Sequence, residues 1–209
     1  MWIPVKIIFL NLFLIVGCTG FSQQFGGGLT AGVVGSQVAG DTFSGYNKGG
    51  IFAGGFVTLG MGGRSAMQLE LAYFQKGSRE NPTEENLYQS FLLRLNYVEM
   101  ALLYQYQMGR FIVEAGPSTG VLTSHYEEFN QEITSDYAGY SKPLRMTLQI
   151  NLGMVFLVDQ HWQVMLRTNN SMMSIRDKDY PGIFRFWDYG QYNDALVLGV
   201  RYVLRSSNR

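Results

Sequence analysis

The densest group of chemically capable residues is Ser124-His125-Tyr126-Glu127-Glu128. A hydroxyl, an imidazole and carboxylates are the parts of a hydrolase. The nucleophile needs a base within hydrogen-bond reach, and the base needs a third group to orient it. Neighbours on a strand point to opposite faces, so Ser124 and His125 make poor partners. His125 with Ser171 or Ser174 is the pairing the spacing leaves open. An outer-leaflet lipid-modifying hydrolase is therefore an alternative, but loop-rich exposed chains carry such residues without using them. The expectation is a non-enzyme with no catalytic, cofactor-binding or metal-ligating residues.

Other candidates are weaker. His161 follows Asp159 in a short turn, which predicts a solvated turn residue. The two histidines, His125 and His161, fall at opposite ends of the fold derived below, so they do not make a zinc pair. Asp177, Asp179, Asp188 and Asp194 lie in one polar stretch and could meet calcium, but they lack the loop spacing of an EF-hand, and solvation is expected. Gly26-Gly27-Gly28 and Gly49-Gly50 have no following helix, lysine or serine to make a phosphate cradle; in strands they allow bends and close packing.

The elements that would position these residues are strands. The stretch Leu144–Val158, LRMTLQINLGMVFLV, has apolar residues at every even position and Arg145, Thr147, Gln149, Asn151 and Gly153 between them. That is a period of two. Similar stretches lie near Phe25–Ser36, Gly50–Leu59, Ala66–Lys76, Phe91–Gln107, Phe111–Thr123, Trp162–Ser171 and Ala195–Arg205. Phe52 and Phe56 weaken the alternation of the second. Arg94 breaks the phase of the fourth, predicting a bulge or a strand start beyond it. Pro117 should disturb the middle of the fifth.

Connections sort into two kinds. Met61–Arg64, Gln107–Arg110 and Val158–His161 are tight turns, while Gln37–Lys48, Gly77–Ser90, Ser124–Lys142 and Ile175–Asn193 are long and polar. Short and long alternate strictly, as in up-and-down outer-membrane barrels with short periplasmic turns, long outer loops and both ends in the periplasm.

The start of the chain agrees. Lys6, an apolar run Ile7–Val16 and the small-residue site Gly20-Phe21-Ser22 predict a signal peptide over residues 1–22, cleaved before Gln23, with a barrel domain over 23–209. A second reading is a lipoprotein box, Ile15-Val16-Gly17-Cys18. Cys18 is the lone cysteine, which excludes an internal disulfide or a cysteine metal cluster. Net charge is +0 and only 15% of residues are charged, well below the roughly 25% of soluble domains. There is no basic excess for nucleic acid.

Which parity meets water decides between an outer-membrane barrel and a soluble ligand-binding barrel. An apolar parity facing inward would leave Gly35, Ala72, Gly116, Gly153 and Gly199 as an unusually bland wet surface. The apolar parity is therefore expected to face lipid. Tyr73, Tyr104, Tyr106, Phe111, Trp162 and Tyr202 fall toward strand ends, at girdle positions. The opposite parity holds Glu70, Glu99 and Glu114 with Arg145, Arg167 and Arg201. In a narrow eight-stranded lumen these must pair, which predicts a plug and not a pore. Leu148 is expected near the membrane midplane, where Leu148→Arg would cost roughly 2–4 kcal/mol.

Several stretches also carry a family resemblance: SQVAGDTFSGYNKGGIFAGGFV (Ser36–Val57), LELAYFQKGS (Leu69–Ser78), LNYVEMALLYQY (Leu95–Tyr106), VEAGPSTGVL (Val113–Leu122) and LGVRYVL (Leu198–Leu204). They resemble the PorT-like outer-membrane β-barrel proteins of Bacteroidetes across nearly the whole mature chain. The family pattern has proline where Ala101 stands and an aromatic at the last residue, whereas this chain ends Leu204-Arg205-Ser206-Ser207-Asn208-Arg209. The resemblance implies an all-β, eight-stranded, antiparallel barrel in the bacterial outer membrane. Through the founding member it implies an accessory role in type IX secretion or envelope assembly. The expected partners are outer-membrane lipid and other envelope or secretion proteins met through loops or turns, with the barrel itself a monomer.

Overall fold

The computed structural model describes residues 25–41, 43, 45–84, 86–130, 132–134, 142–176 and 182–205. The expected signal peptide, Cys18, Asp177 and Asp179 lie outside them. Eleven strands run in chain order: β1 Phe25–Ala39, β2 Lys48–Gly60, β3 Ser65–Glu80, β4 Phe91–Met108, β5 Phe111–Phe129, β6 Glu132–Ile133, β7 Met146–Leu157, β8 Trp162–Ser171, β9 Ile183–Arg185, β10 Asp188–Gly190 and β11 Tyr192–Arg205. Eight of them close a barrel in the order β4-β3-β2-β1-β11-β8-β7-β5, with β5 pairing back to β4. All pairings are antiparallel. Closure leaves no sheet edge, so every wall strand finds backbone partners without water. β6 extends β5 outside the wall, and β9 and β10 form a separate hairpin.

The side-chain period of two sorts the wall as expected. Leu29, Val33, Leu71, Leu152, Leu166 and Leu198 are exposed on the outer face, while Gln68, Glu70, Glu114, Gln149 and Arg167 are buried inside. In β2 the two phenylalanines are the exception that the pattern hinted at: Phe52 and Phe56 point inward and are buried, opposite in parity to exposed Ile51 and Val57. Gly35 departs from the expected inward set. It shares the outer parity of Leu29 and Val33, and Tyr46 lies beside it, 3.6 Å from where a Cβ would stand.

The strands reach past their expected ends. β3 continues through Gly77–Glu80 and β5 through Ser124–Phe129, both within stretches whose polarity reads as loop. Above the lipid a strand needs no apolar face, so the periodic signal fades while the backbone ladder persists. Arg94 does not break β4: it lies on the outer parity, exposed, at the outer end. The bulge falls nearby, where the β4–β5 register shifts between Asn96 and Tyr97. Pro117 does not end β5 either. Its pairing to β4 lapses only between Ala101↔Ser118 and Tyr104↔Ala115. Proline has no N–H to donate there.

Two glycines are set by close backbone approach. A Cβ on Gly28 would stand 2.2 Å from the Tyr202 carbonyl, at the register shift between β1 and β11. Gly77 sits at φ +141°, and a Cβ there would meet the Leu93 carbonyl at 1.9 Å. Gly77→Ala is expected to destabilise the barrel by on the order of 1–3 kcal/mol, read as a lowered urea midpoint in detergent micelles. An unchanged midpoint would mean that β3 and β4 separate there at no cost.

At the opposite end Asp159 ties the β7–β8 turn. Its carboxylate accepts from the backbone N–H groups of Trp162 and His161, both at 2.7 Å. Those bonds hold its pKa below the ordinary carboxylate range. His161 is exposed in this turn as expected, its ring stacked 5.8 Å from Tyr202.

Candidate functional site

The barrel interior is the best-built polar site in the described residues, and it has two storeys. In the lower one, four strands contribute one charge each: Glu70 from β3, Glu114 from β5, Arg167 from β8 and Arg201 from β11. Arg167 forks onto Glu70 (Nη1–Oε1 2.5 Å, Nη2–Oε2 3.1 Å) and also donates to Glu114 Oε1 from Nε (2.9 Å) and Nη2 (2.8 Å). Arg201 spans both oxygens of Glu114, at 2.9 and 3.0 Å, and reaches Glu70 Oε2 at 3.4 Å. Gln105 donates to Glu114 Oε2 (3.0 Å) and to Gln68, which donates in turn to Glu70 (3.0 Å). Phe52 and Phe56 lie under the two guanidiniums, 5.8 and 5.5 Å from Arg167 and Arg201. This accounts for the weak alternation of β2: the lumen needs flat apolar surface beneath delocalised cations.

The upper storey centres on Glu99, which accepts from Lys76 Nζ at 2.5 Å and from Asn169 Nδ2 at 3.1 Å. Asn169, Asn151, Ser118 and Gln149 continue the chain of bonds across the lumen. Arg145, the expected third luminal guanidinium, is not there. It is exposed, and β7 begins after it at Met146. Lys76 takes its place, and its parity with Glu70 in β3 is the sequence signal that finds it. Each storey is neutral: two carboxylates face two guanidiniums below, and one carboxylate faces one ammonium above.

The outer mouth is closed as well. Tyr97, Leu93, Leu95, Val38 and Ile175 are fully buried in one apolar cluster. Ile175 comes from the β8–β11 connection, pinned by Leu144 N–H to its carbonyl (2.7 Å). Arg176 beside it reaches Glu127 Oε2 at 2.6 Å. The β4–β5 bulge makes this pair possible, because one extra residue in β5 turns Glu127 inward where the preceding parity would turn it out.

Among the described residues no hydrogen bond joins His125 to Ser124, Ser171 or Ser174. Ser124 Oγ accepts from Asn96 Nδ2 at 2.8 Å on the outer side. Ser171 Oγ accepts from Asn193 N–H at 3.1 Å, and Ser174 Oγ donates to the Arg176 carbonyl at 2.7 Å. Asp194 is held by Arg185 and Asn170, and Asp188 caps Tyr189 N–H. The glycine triplet Gly26-Gly27-Gly28 lies inside β1 and the pair Gly49-Gly50 inside β2, each followed by strand and not helix.

Seen from outside, aromatic residues ring the short-turn end. Tyr104, Tyr106, Phe111 and Trp162 are exposed on the outer parity, and Trp162 packs edge-on to Tyr202 at 4.9 Å. Tyr73 stands at the other end of the outer wall, its hydroxyl donating to Asn96 (2.8 Å). An apolar outer wall, an aromatic girdle and a polar sealed interior are the arrangement of a barrel that spans lipid.

The family comparison agrees: the model of the outer membrane protein beta-barrel domain matches residues 21–177. The chain belongs to this family. It is a small eight-stranded barrel of the bacterial outer membrane. Among solved structures it is similar to neisserial surface protein A (NspA), with 10% identity and a TM-score of 0.55 over 84% of this chain and 96% of that one. It is also similar to Ail, the attachment invasion locus protein of Yersinia pestis, with 12% identity and a TM-score of 0.50 over 87% of this chain and 99% of that one. At such identities the likeness concerns the fold alone. No functionally curated protein matches the sequence.

Proposed function

We propose that this barrel is a non-conducting membrane platform with a structural or interaction role, displaying its long outer loops to other envelope components. The filled lumen carries the reading. Arg167, Arg201, Lys76, Phe52, Phe74 and Tyr97 are among its largest fully buried side chains, and its charges cancel storey by storey. An ion entering would have to break charge-assisted bonds in a low-dielectric interior and leave their partners uncompensated. Planar-bilayer recording of the purified chain is expected to show a flat baseline; stable, large-conductance openings would refute the platform reading.

A non-catalytic role has separate support, since each candidate serine oxygen is bound to a group other than His125. Mass spectrometry of lipid A from cells carrying the wild-type chain or His125→Ala is expected to give identical acyl patterns. A His125-dependent change would make the protein an enzyme.

The finer proposal is a PorT-like accessory role in protein secretion or envelope assembly, as a monomeric barrel bound to lipid and to envelope proteins. Its support is the motif resemblance in Ser36–Val57 and Leu95–Tyr106. Affinity capture from native envelopes is expected to recover secretion or assembly components. Capture of lipid alone would remove that role.

A further inference from the structure

The β9–β10 hairpin does not stand away from the barrel. Its base lies at the rim, where Gly182 and Gly190 crowd Gly40 just past the end of β1. From there it reaches down the outside of the wall. Arg185 forks onto Asp194 at 2.6 and 2.7 Å, and Asn170 of β8 donates to the same carboxylate at 2.8 Å. Asp194 has the parity of Leu196, Leu198 and Val200, so it faces outward. Tyr192, on that parity too, is fully buried under the hairpin; its hydroxyl donates to the Asp188 carbonyl at 2.6 Å and its ring lies 5.0 Å from the Arg185 guanidinium.

Height along the wall gives this contact its meaning. A tilted wall strand climbs about 2.5 Å per residue, and the apolar band of such barrels is about 25 Å tall. Asp194 lies eight residues above girdle residue Tyr202 along β11, or about 20 Å, near the outer boundary of the band. A carboxylate is tolerated where the headgroups begin, and its pairing with Arg185 fixes the hairpin to the wall at that height. The hairpin is therefore itself at lipid height.

Its remaining surface is aromatic. Phe184 and Tyr189 are directly paired across the hairpin, and Phe186 and Trp187 form the turn. All four are exposed, Phe184 by 70% and Trp187 by 63%. Phe186 sits at φ +55°, where glycine or asparagine is the ordinary choice, so side-chain demand outweighs backbone ease at this tip.

We propose that this hairpin is a second membrane contact, with Phe184, Phe186, Trp187 and Tyr189 seated at the headgroup–acyl boundary of the outer leaflet beside β11 and β1. The occupant is lipid because the Arg185–Asp194 pair pins the hairpin to the lipid-facing wall at the height of the headgroup–acyl boundary, and the hairpin carries four exposed aromatic rings there. Aromatic rings with one polar edge favour that boundary. On this reading the loop after β8 holds the barrel's height and tilt in the membrane, and partner display falls to the other outer loops.

Tryptophan fluorescence tests it. The full chain carrying Trp2→Phe and Trp162→Phe leaves Trp187 as the sole reporter. In phosphatidylcholine vesicles its emission is expected to be blue-shifted and quenched at least twofold by lipid brominated near the headgroup, with weaker quenching from bromine deep in the chain. Pairing Arg185→Ala with Asp194→Asn removes the pin without stranding a charge, and should lose at least half of that quenching while the barrel stays heat-modifiable. Should Trp162→Phe fail to fold, the difference between the native chain and its Trp187→Phe variant reads the same signal. Water-like emission without bromine quenching overturns the proposal. So does protection that appears only when solubilised envelope proteins are added, which would assign the hairpin to a protein partner; quenching untouched by loss of the pin overturns the role given to Arg185 and Asp194.

Discussion

Arg167→Met is expected to cost the folded barrel about 3–5 kcal/mol, the largest effect of any single substitution proposed for this protein. Methionine fills most of the volume, so the loss is electrostatic. Glu70 and Glu114 would remain buried with Arg201 as the one guanidinium for both, and that guanidinium already spans the two oxygens of Glu114. The four hydrogen bonds from Arg167 would vanish together. Urea unfolding in detergent micelles checks this, with the unboiled gel shift reporting how much barrel remains. Adding Glu70→Gln restores neutrality, so the double variant should lie closer to wild type than Arg167→Met alone. A double variant that falls by the sum of the two single losses would show that the quartet is not coupled.

The second large effect is on the other face. Leu152→Arg is expected to cost roughly 2–4 kcal/mol, and Leu148→Arg about 0–1 kcal/mol. The order follows from height. Phe156 belongs to the girdle at the short-turn end, touching Phe111 at 5.2 Å. Leu152 is four residues above it, about 10 Å, near the middle of a 25 Å band, and Leu148 is eight above, about 20 Å, near the outer boundary where arginine can reach headgroups. The midplane expected at Leu148 is thereby corrected: Leu148 is only the third residue of β7, and both the strand's centre and the girdle place the midplane beside Leu152. Gln149→Arg faces inward beside Glu99 (3.4 Å) and should cost less than Leu152→Arg if it pairs there. Equal costs for Leu148→Arg and Leu152→Arg in vesicle refolding titrations would contradict this placement of the membrane.

The legibility of the fold followed from one physical fact: a closed sheet between two media repeats its chemistry every second residue. That fact identified all eight wall strands, the three tight turns and the inward course of Glu70, Glu99, Glu114, Arg167 and Arg201. It lost force wherever lipid no longer imposes a face. Ser124–Phe129 reads as loop yet is strand, Arg94 reads as a phase error yet is a solvated outer end, and Arg145 reads as luminal yet precedes its strand.

The sequence by itself determined the barrel, its even number of wall strands and which parity meets lipid, because these depend on local alternation and on loop length. Only the tertiary structure decided who pairs with whom. Lys76 answers Glu99, Arg176 answers Glu127 across a bulge, and Arg185 answers Asp194 on the outside of the wall. Each of those partners is brought close by shear, register and loop return, which are properties of the closed cylinder and leave no periodic trace along the chain.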